Sequence, residues 1–183
     1  MRDIIICTPG LETQFIEEAT RLGYDELLIL YEEKDAKQVQ EVSSKEITIN
    51  QGIISLSQQQ GKVKNQGLEV ALLGTRNVAF SKQVTLLLNN EFEPERDFVH
   101  QRRNGINHVI LAQCKTNSVH IATGLATLRR ENTKRQSVIL GRMKQTMKLA
   151  EKKGVDYEVV SLARQPFEMR SARDVRAIVE WLK

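Results

Sequence analysis

Short, unbroken apolar runs, separated by segments of helical period, constrain this chain more than any other feature. Ile4-Ile5-Ile6-Cys7 has no polar residue to turn toward water, so it reads as a strand buried on both faces, as in a parallel sheet. Leu27 to Tyr31 reads the same way; Leu68 to Leu73, Val84 to Leu88, Val119 to Ala122 and Val155 to Ser161 read as further strands, and Ile53-Ile54-Ser55-Leu56 is a seventh candidate. Thr8-Pro9 reads as an N-cap followed by proline at the first helical position. Phe15, Ile16, Ala19 and Leu22 then recur at helical spacing before Gly23. Ala36 to Val42 reads as a short polar helix, and Arg76 to Lys82 as one or two helical turns. Phe98 to Lys115 predicts a helix broken at Gly105, and Ser137 to Lys153 the longest one. Ser171 to Leu182 predicts a last helix, opened by Ser171-Ala172-Arg173-Asp174 as a capping box in its Asp form.

Strands that alternate with helices imply a parallel sheet covered by helices. A closed (β/α) barrel is the natural solution, yet 183 residues fall below the ~200 usual for that fold. The expectation is an α/β, TIM-barrel-like parallel barrel, short and incomplete, forming a single domain over residues 1–183, with a doubly wound open sheet as the alternative. No apolar run reaches membrane-spanning length, and the strand-like start lacks a secretory pattern, so a cytoplasmic protein is expected. Cys7 and Cys114 stand far apart and read as buried, inert thiols.

Charge is distributed unevenly. Residues 1–99 carry 10 Lys/Arg against 16 Asp/Glu, a net of −6, and residues 100–183 carry 17 against 7, a net of +10. A basic half of this kind points to a polyanion: RNA, DNA or a phosphorylated ligand. Glycine-rich phosphate loops, HxH and HExxH pairs and nucleophile elbows are all missing. A metal site on His100 and His108, eight residues apart, would need a third ligand such as Asp97, and none is expected.

Four stretches, in this order, carry a family resemblance. The first is Asp97-Phe98-Val99-His100-Gln101-Arg102-Arg103-Asn104-Gly105-Ile106-Asn107-His108, followed by the strand Val119-His120-Ile121-Ala122. The third is the basic helix from Gly141-Arg142-Met143-Lys144 to Ala150, and the last runs Ser161-Leu162-Ala163-Arg164, then Met169-Arg170-Ser171-Ala172-Arg173-Asp174. This series resembles the archaeal ribonuclease P protein component 3 family, homologous to the thirty-kilodalton subunit of the eukaryotic enzyme. The family's acidic first-strand residue has no equivalent here unless Asp3 serves.

The resemblance implies a barrel-like fold related to the polymerase and histidinol phosphatase superfamily. It also implies a protein subunit of the ribonucleoprotein that cleaves the 5′ leader from precursor tRNA. The catalytic RNA would supply the active site with Mg²⁺. The protein would hold no cofactor and would work with the component 2 subunit. Expected RNA contacts are Arg102, Arg103, Lys115, Arg142, Lys144, Lys148, Arg164, Arg170 and Arg173, with Arg164 and Arg170 converging at one face. Asp97, His100, Ser171 and Asp174 are expected in support, Asp97 holding Arg102 or His100. Aromatics make up 5% of the chain, so phosphate contact is expected to outweigh base stacking. Two other readings stay open: a metal-dependent phosphoesterase on a related barrel, and a non-catalytic RNA- or protein-binding module.

Overall fold

The computed structural model describes residues 1–35, 42–56, 69–74, 84–92, 94, 96–97 and 102–183. The expected polar helix at 36–42, apart from its last residue, the turns at 76–82 and His100 lie outside them. Seven strands are described: β1 (Arg2–Ile6), β2 (Glu26–Glu32), β3 (Thr48–Leu56), β4 (Glu69–Leu73), β5 (Val84–Leu88), β6 (His120–Gly124) and β7 (Tyr157–Val160). All neighbours pair in parallel, in the sequential order β1 to β7. The helices are α1 (Glu12–Arg21), α2 (His108–Thr116), α3 (Leu125–Arg129), α4 (Thr133–Lys153) and α5 (Ala172–Leu182). None of the described helices is long and apolar enough to cross a membrane.

The sheet curls into a nearly closed barrel. β7 does not ladder with β1, but the residues just after it reach across: Leu162 N–H donates to Ile4 O (2.8 Å) and Ile6 N–H to Ala163 O (2.9 Å). The Asp3 carboxylate adds a third clasp by accepting from Ser161 N–H at 2.7 Å. One apolar cluster, with Ile4, Leu28, Ile54, Ala71, Leu86 and Val160 among its members, fills the interior. A seven-strand barrel is narrower than an eight-strand one, so its lumen needs small side chains. Gly52 and Gly124 meet that need. A Cβ on Gly52 would lie 2.7 Å from Glu69 O, and one on Gly124 would overlap Leu162. Among the described residues the barrel thus has seven strands, closely packed where these two glycines stand.

Outside the barrel, α1 buries Phe15 and Ala19 against β1 and β2, α2 buries Leu111 and Cys114, and α4 with α5 buries Ile139, Met143, Val175 and Leu182. Both cysteines are free and buried, and burial pushes their thiols up to about 12 for Cys7 and about 11 for Cys114. Three helix starts differ from expectation: α4 begins early, at Thr133 under an Asn132 cap rather than at Ser137, and two others begin late. Pro9 and Gly10 form a turn, Gly10 at φ +98°, so α1 begins only at Glu12, whose carboxylate accepts from Gly10 N–H (2.7 Å). Thr8 is therefore not the cap. Likewise Arg102–Asn107 is irregular, Gly105 has φ +71°, and α2 begins at His108 under an Asn107 cap that accepts from the N–H groups of Val109 and Ile110. At the C-terminus Ser171 caps α5 as expected, accepting from Asp174 N–H at 3.1 Å.

Candidate nucleic-acid interface

The longest helix organises the basic surface. On α4 the fully buried stripe is Ile139, Arg142, Met143, Thr146 and Ala150, which are i, i+3, i+4, i+7 and i+11 neighbours on one face. Arg142 is therefore a core residue, at 0% exposure, and not part of the expected RNA surface. Its Nε and Nη2 donate to Asp97 Oδ1 at 2.8 and 2.7 Å, and its Nη1 donates to Glu91 O at 3.0 Å. The same Asp97 oxygen accepts from Arg103 N–H (2.8 Å). Partial burial alone would raise the Asp97 carboxyl, but Arg103 N–H and the Arg142 guanidinium hold it below its ordinary range. Asp97 thus grips Arg142 and the backbone of Arg103; of its expected partners, Arg102 adds the pull of its charge and His100 lies outside the described residues.

This grip ties a strap, Arg102 to Ile106, onto α4. Asn104, buried, donates from Nδ2 to Thr146 Oγ1 (3.1 Å), and Thr146 in turn donates to Arg142 O (3.1 Å). The network continues inward. Glu91, buried, accepts from the Thr123 hydroxyl (2.7 Å), which also bonds Tyr157 Oη at 2.9 Å. Burial pushes both Glu91 and Tyr157 up.

With its backbone pinned, the strap presents Arg102 and Arg103 outward, both exposed. The Arg102 guanidinium lies against the helix at Gly141, where any Cβ would overlap Nη1. A mid-helix glycine costs about 1 kcal/mol relative to alanine; here it opens the space that Arg102 occupies. Arg102, Lys144, Ser137, Leu140 and Trp181 line one shallow groove of about 420 Å³. Lys148 continues exposed along α4, one turn beyond Lys144. Lys115, at the end of α2, brings Nζ within 3.3 Å of the position a Cβ would take on Gly154, the C-cap of α4. There an ammonium is favoured by the carbonyl end of the helix.

The remaining candidates sit elsewhere. Arg164 is exposed just beyond β7, with Nη1 donating to Glu32 at 2.7 Å and its N–H to Glu168 at 2.8 Å. Glu32 also pairs with Lys34, and Glu168 with Arg130, so this rim of the barrel alternates in sign. Arg170 lines a groove against α1 with Glu18, Arg21, Gln165, Phe167 and Asp174. Its backbone is fixed by Ser161 Oγ and Tyr24 Oη. Arg173 is exposed in the first turn of α5. Arg164 and Arg170 therefore face different neighbours, Arg164 turned to Glu32 and Arg170 set in the groove against α1.

His108 is exposed at the start of α2. His120 lies at the opposite end of the barrel from the strand C-termini, 3.5 Å from Glu158, which Arg2 also pairs. Among the described residues no three His, Cys, Asp or Glu side chains are grouped to hold a metal ion. Sequence reasoning missed Trp181, which is 68% exposed. Its signal was positional: it falls off the apolar stripe Val175, Ile178, Val179, Leu182 of α5.

No protein-family model matches the chain, and no curated protein matches it. Among solved structures, a chain in the cryo-EM structure of archaeal ribonuclease P with mature tRNA superposes at a TM-score of 0.71 and 16% identity, covering 98% of this chain and 82% of that one. Dihydropteroate synthase chains align more loosely. One from Coxiella burnetii, with pteroic acid, gives a TM-score of 0.44 at 9% identity over 100% of this chain and 91% of that one. One from Yersinia pestis gives 0.39 at 15% identity over 99% and 90%. The first likeness shows the shared barrel fold; the other two are too loose to carry an argument.

Proposed function

We propose that this chain is a protein subunit of a ribonuclease P ribonucleoprotein, the assembly that removes the 5′ leader from precursor tRNA. It binds and supports the catalytic RNA in the cytoplasm, as one barrel-like unit, together with a component 2 protein. The observation that carries the reading is the fold likeness over 98% of this chain to a chain of archaeal ribonuclease P. The basic half supports it, because exposed cations are what a phosphate backbone requires. Arg102, Arg103, Lys144 and Lys148 on the α4 side, Lys115 at the end of α2 and Arg173 on α5 are exposed or half-exposed. Arg170 is half-buried in its groove. Arg164 joins them only where a phosphate replaces Glu32.

Chemistry in this reading belongs to the RNA and its Mg²⁺. The protein's part is to neutralise and hold phosphates, which lowers the repulsion that folding the RNA must overcome. Co-assembly tests this. The chain, component 2 and the matching catalytic RNA are mixed and resolved by size. The expected result is one particle holding all three; a chain that migrates free of both partners contradicts it.

A further inference from the structure

The groove between α4 and the end of α5 combines three things found together nowhere else among the described residues. A large aromatic ring, Trp181, stands mostly in water. Arg102 and Lys144 line the same groove, and among the described residues no side-chain hydrogen bond or ion pair holds either, although the charge of Arg102 is felt at Asp97. No carboxylate of a described residue lines the groove itself. The second exposed aromatic, Phe167 at 80% exposure, makes the contrast: its groove is lined by Glu18 and Asp174 as well as by arginine, so an anion gains little there.

The Trp181 groove is also pre-organised. Asp97 and Asn104 fix the strap that carries Arg102, and Gly141 opens the space in which the guanidinium rests on the helix. The backbone that carries Arg102 is therefore ordered before a ligand arrives, which spares that part of the cost of binding.

We propose that this groove binds an unpaired nucleotide of an RNA strand, its base stacked on the Trp181 indole and its phosphate held by Arg102 and Lys144. The proposal rests on the RNA-binding reading above and deepens it by naming single-stranded RNA as the ligand of this face. Stacking suits an unpaired base because every base offers a π face, whereas a duplex hides it. The two cations track the backbone beside it.

Trp181 is the chain's sole tryptophan, so its fluorescence reports on this groove alone. The experiment titrates the protein with a short single-stranded oligoadenylate and with a fully paired RNA duplex of the same length. Indole emission is followed beside the anisotropy of labelled RNA. Saturable quenching by the single strand, with little by the duplex, is expected. Trp181→Leu should weaken single-strand binding about tenfold or more, with its salt dependence unchanged, and Trp181→Phe should retain most of the affinity. Arg102→Ala should instead flatten the salt dependence. The exposed position of Trp181 leaves the fold of these variants intact, which circular dichroism checks.

If anisotropy shows single-strand binding while the indole emission stays unchanged, the platform is wrong and the RNA-binding reading survives. Should neither RNA bind, both fall. If component 2 alone shields the indole and Trp181→Leu loses that protein and not RNA, the groove is a protein interface and the proposal is overturned.

Discussion

Arg142→Ala would take the main cation from the partly exposed Asp97 and a donor from Glu91 O, and would empty a fully buried site under α4. Water still reaches Asp97, so the loss should stay below that of a fully buried pair yet reach the roughly 1–3 kcal/mol of an unsatisfied buried acceptor, out of a total of about 5–15. Chemical denaturation should show that loss, whereas Lys148→Ala, on the exposed face of the same helix, should stay within about 0.5 kcal/mol. Gly141→Ala separates stability from binding. It restores helix propensity worth about 1 kcal/mol but evicts the Arg102 guanidinium. The variant should unfold no more easily than the parent while binding RNA more weakly; equal RNA affinity would show that the resting place of Arg102 is irrelevant. At this scale the sequence was legible by residue type and illegible by position. Arg142 looks like surface chemistry until the stripe it shares with Ile139 and Met143 is counted. Trp181 is the converse, an apolar residue placed off its stripe.

The barrel's closing seam gives the clearest prediction for an element. Burial raises the Asp3 carboxyl from 3.8 to about 6, against the opposing pull of Ser161 N–H and hydroxyl. Between about pH 4 and pH 6 the folded chain keeps a proton that the unfolded chain gives up, so stability falls as pH rises through that window and levels off above it. The stability lost between the acid side of this window and neutral pH is on the order of 3 kcal/mol. Asp3→Asn keeps an acceptor for Ser161 N–H and removes the titration. The variant should therefore gain on the parent as pH rises from about 4 to 7. A difference that is constant across this range would contradict the account. The strands around this seam were legible because residues buried on both faces leave unbroken apolar runs, as in Ile4-Ile5-Ile6. Helix starts were not, because local geometry decides them: the Pro9-Gly10 turn delays α1, and Gly105 with the Asn107 cap delays α2. The long-range clasp from Asp3 to Ser161, 158 positions apart, leaves no mark on local pattern.

Across the whole molecule, the charge gradient from −6 to +10 makes the account an electrostatic one. Affinity for the catalytic RNA should fall steeply with added salt, and Arg170→Ala should weaken it about equally across RNA sequences, lowering the log–log slope by roughly one. Binding that ignores salt would contradict this. The architecture, a short parallel barrel, was legible from the strand–helix alternation together with the chain length. Which cations face the same way was not, since that depends on how segments distant in sequence pack: Arg102 meets Lys144 and Trp181 through α4 and α5, while Arg164 turns to Glu32. The most direct measurement is precursor-tRNA cleavage by the matching catalytic RNA at limiting Mg²⁺, with component 2 alone and then with this chain added. The account predicts stimulation that needs both proteins. No stimulation, from a folded chain and an active component 2, would contradict it.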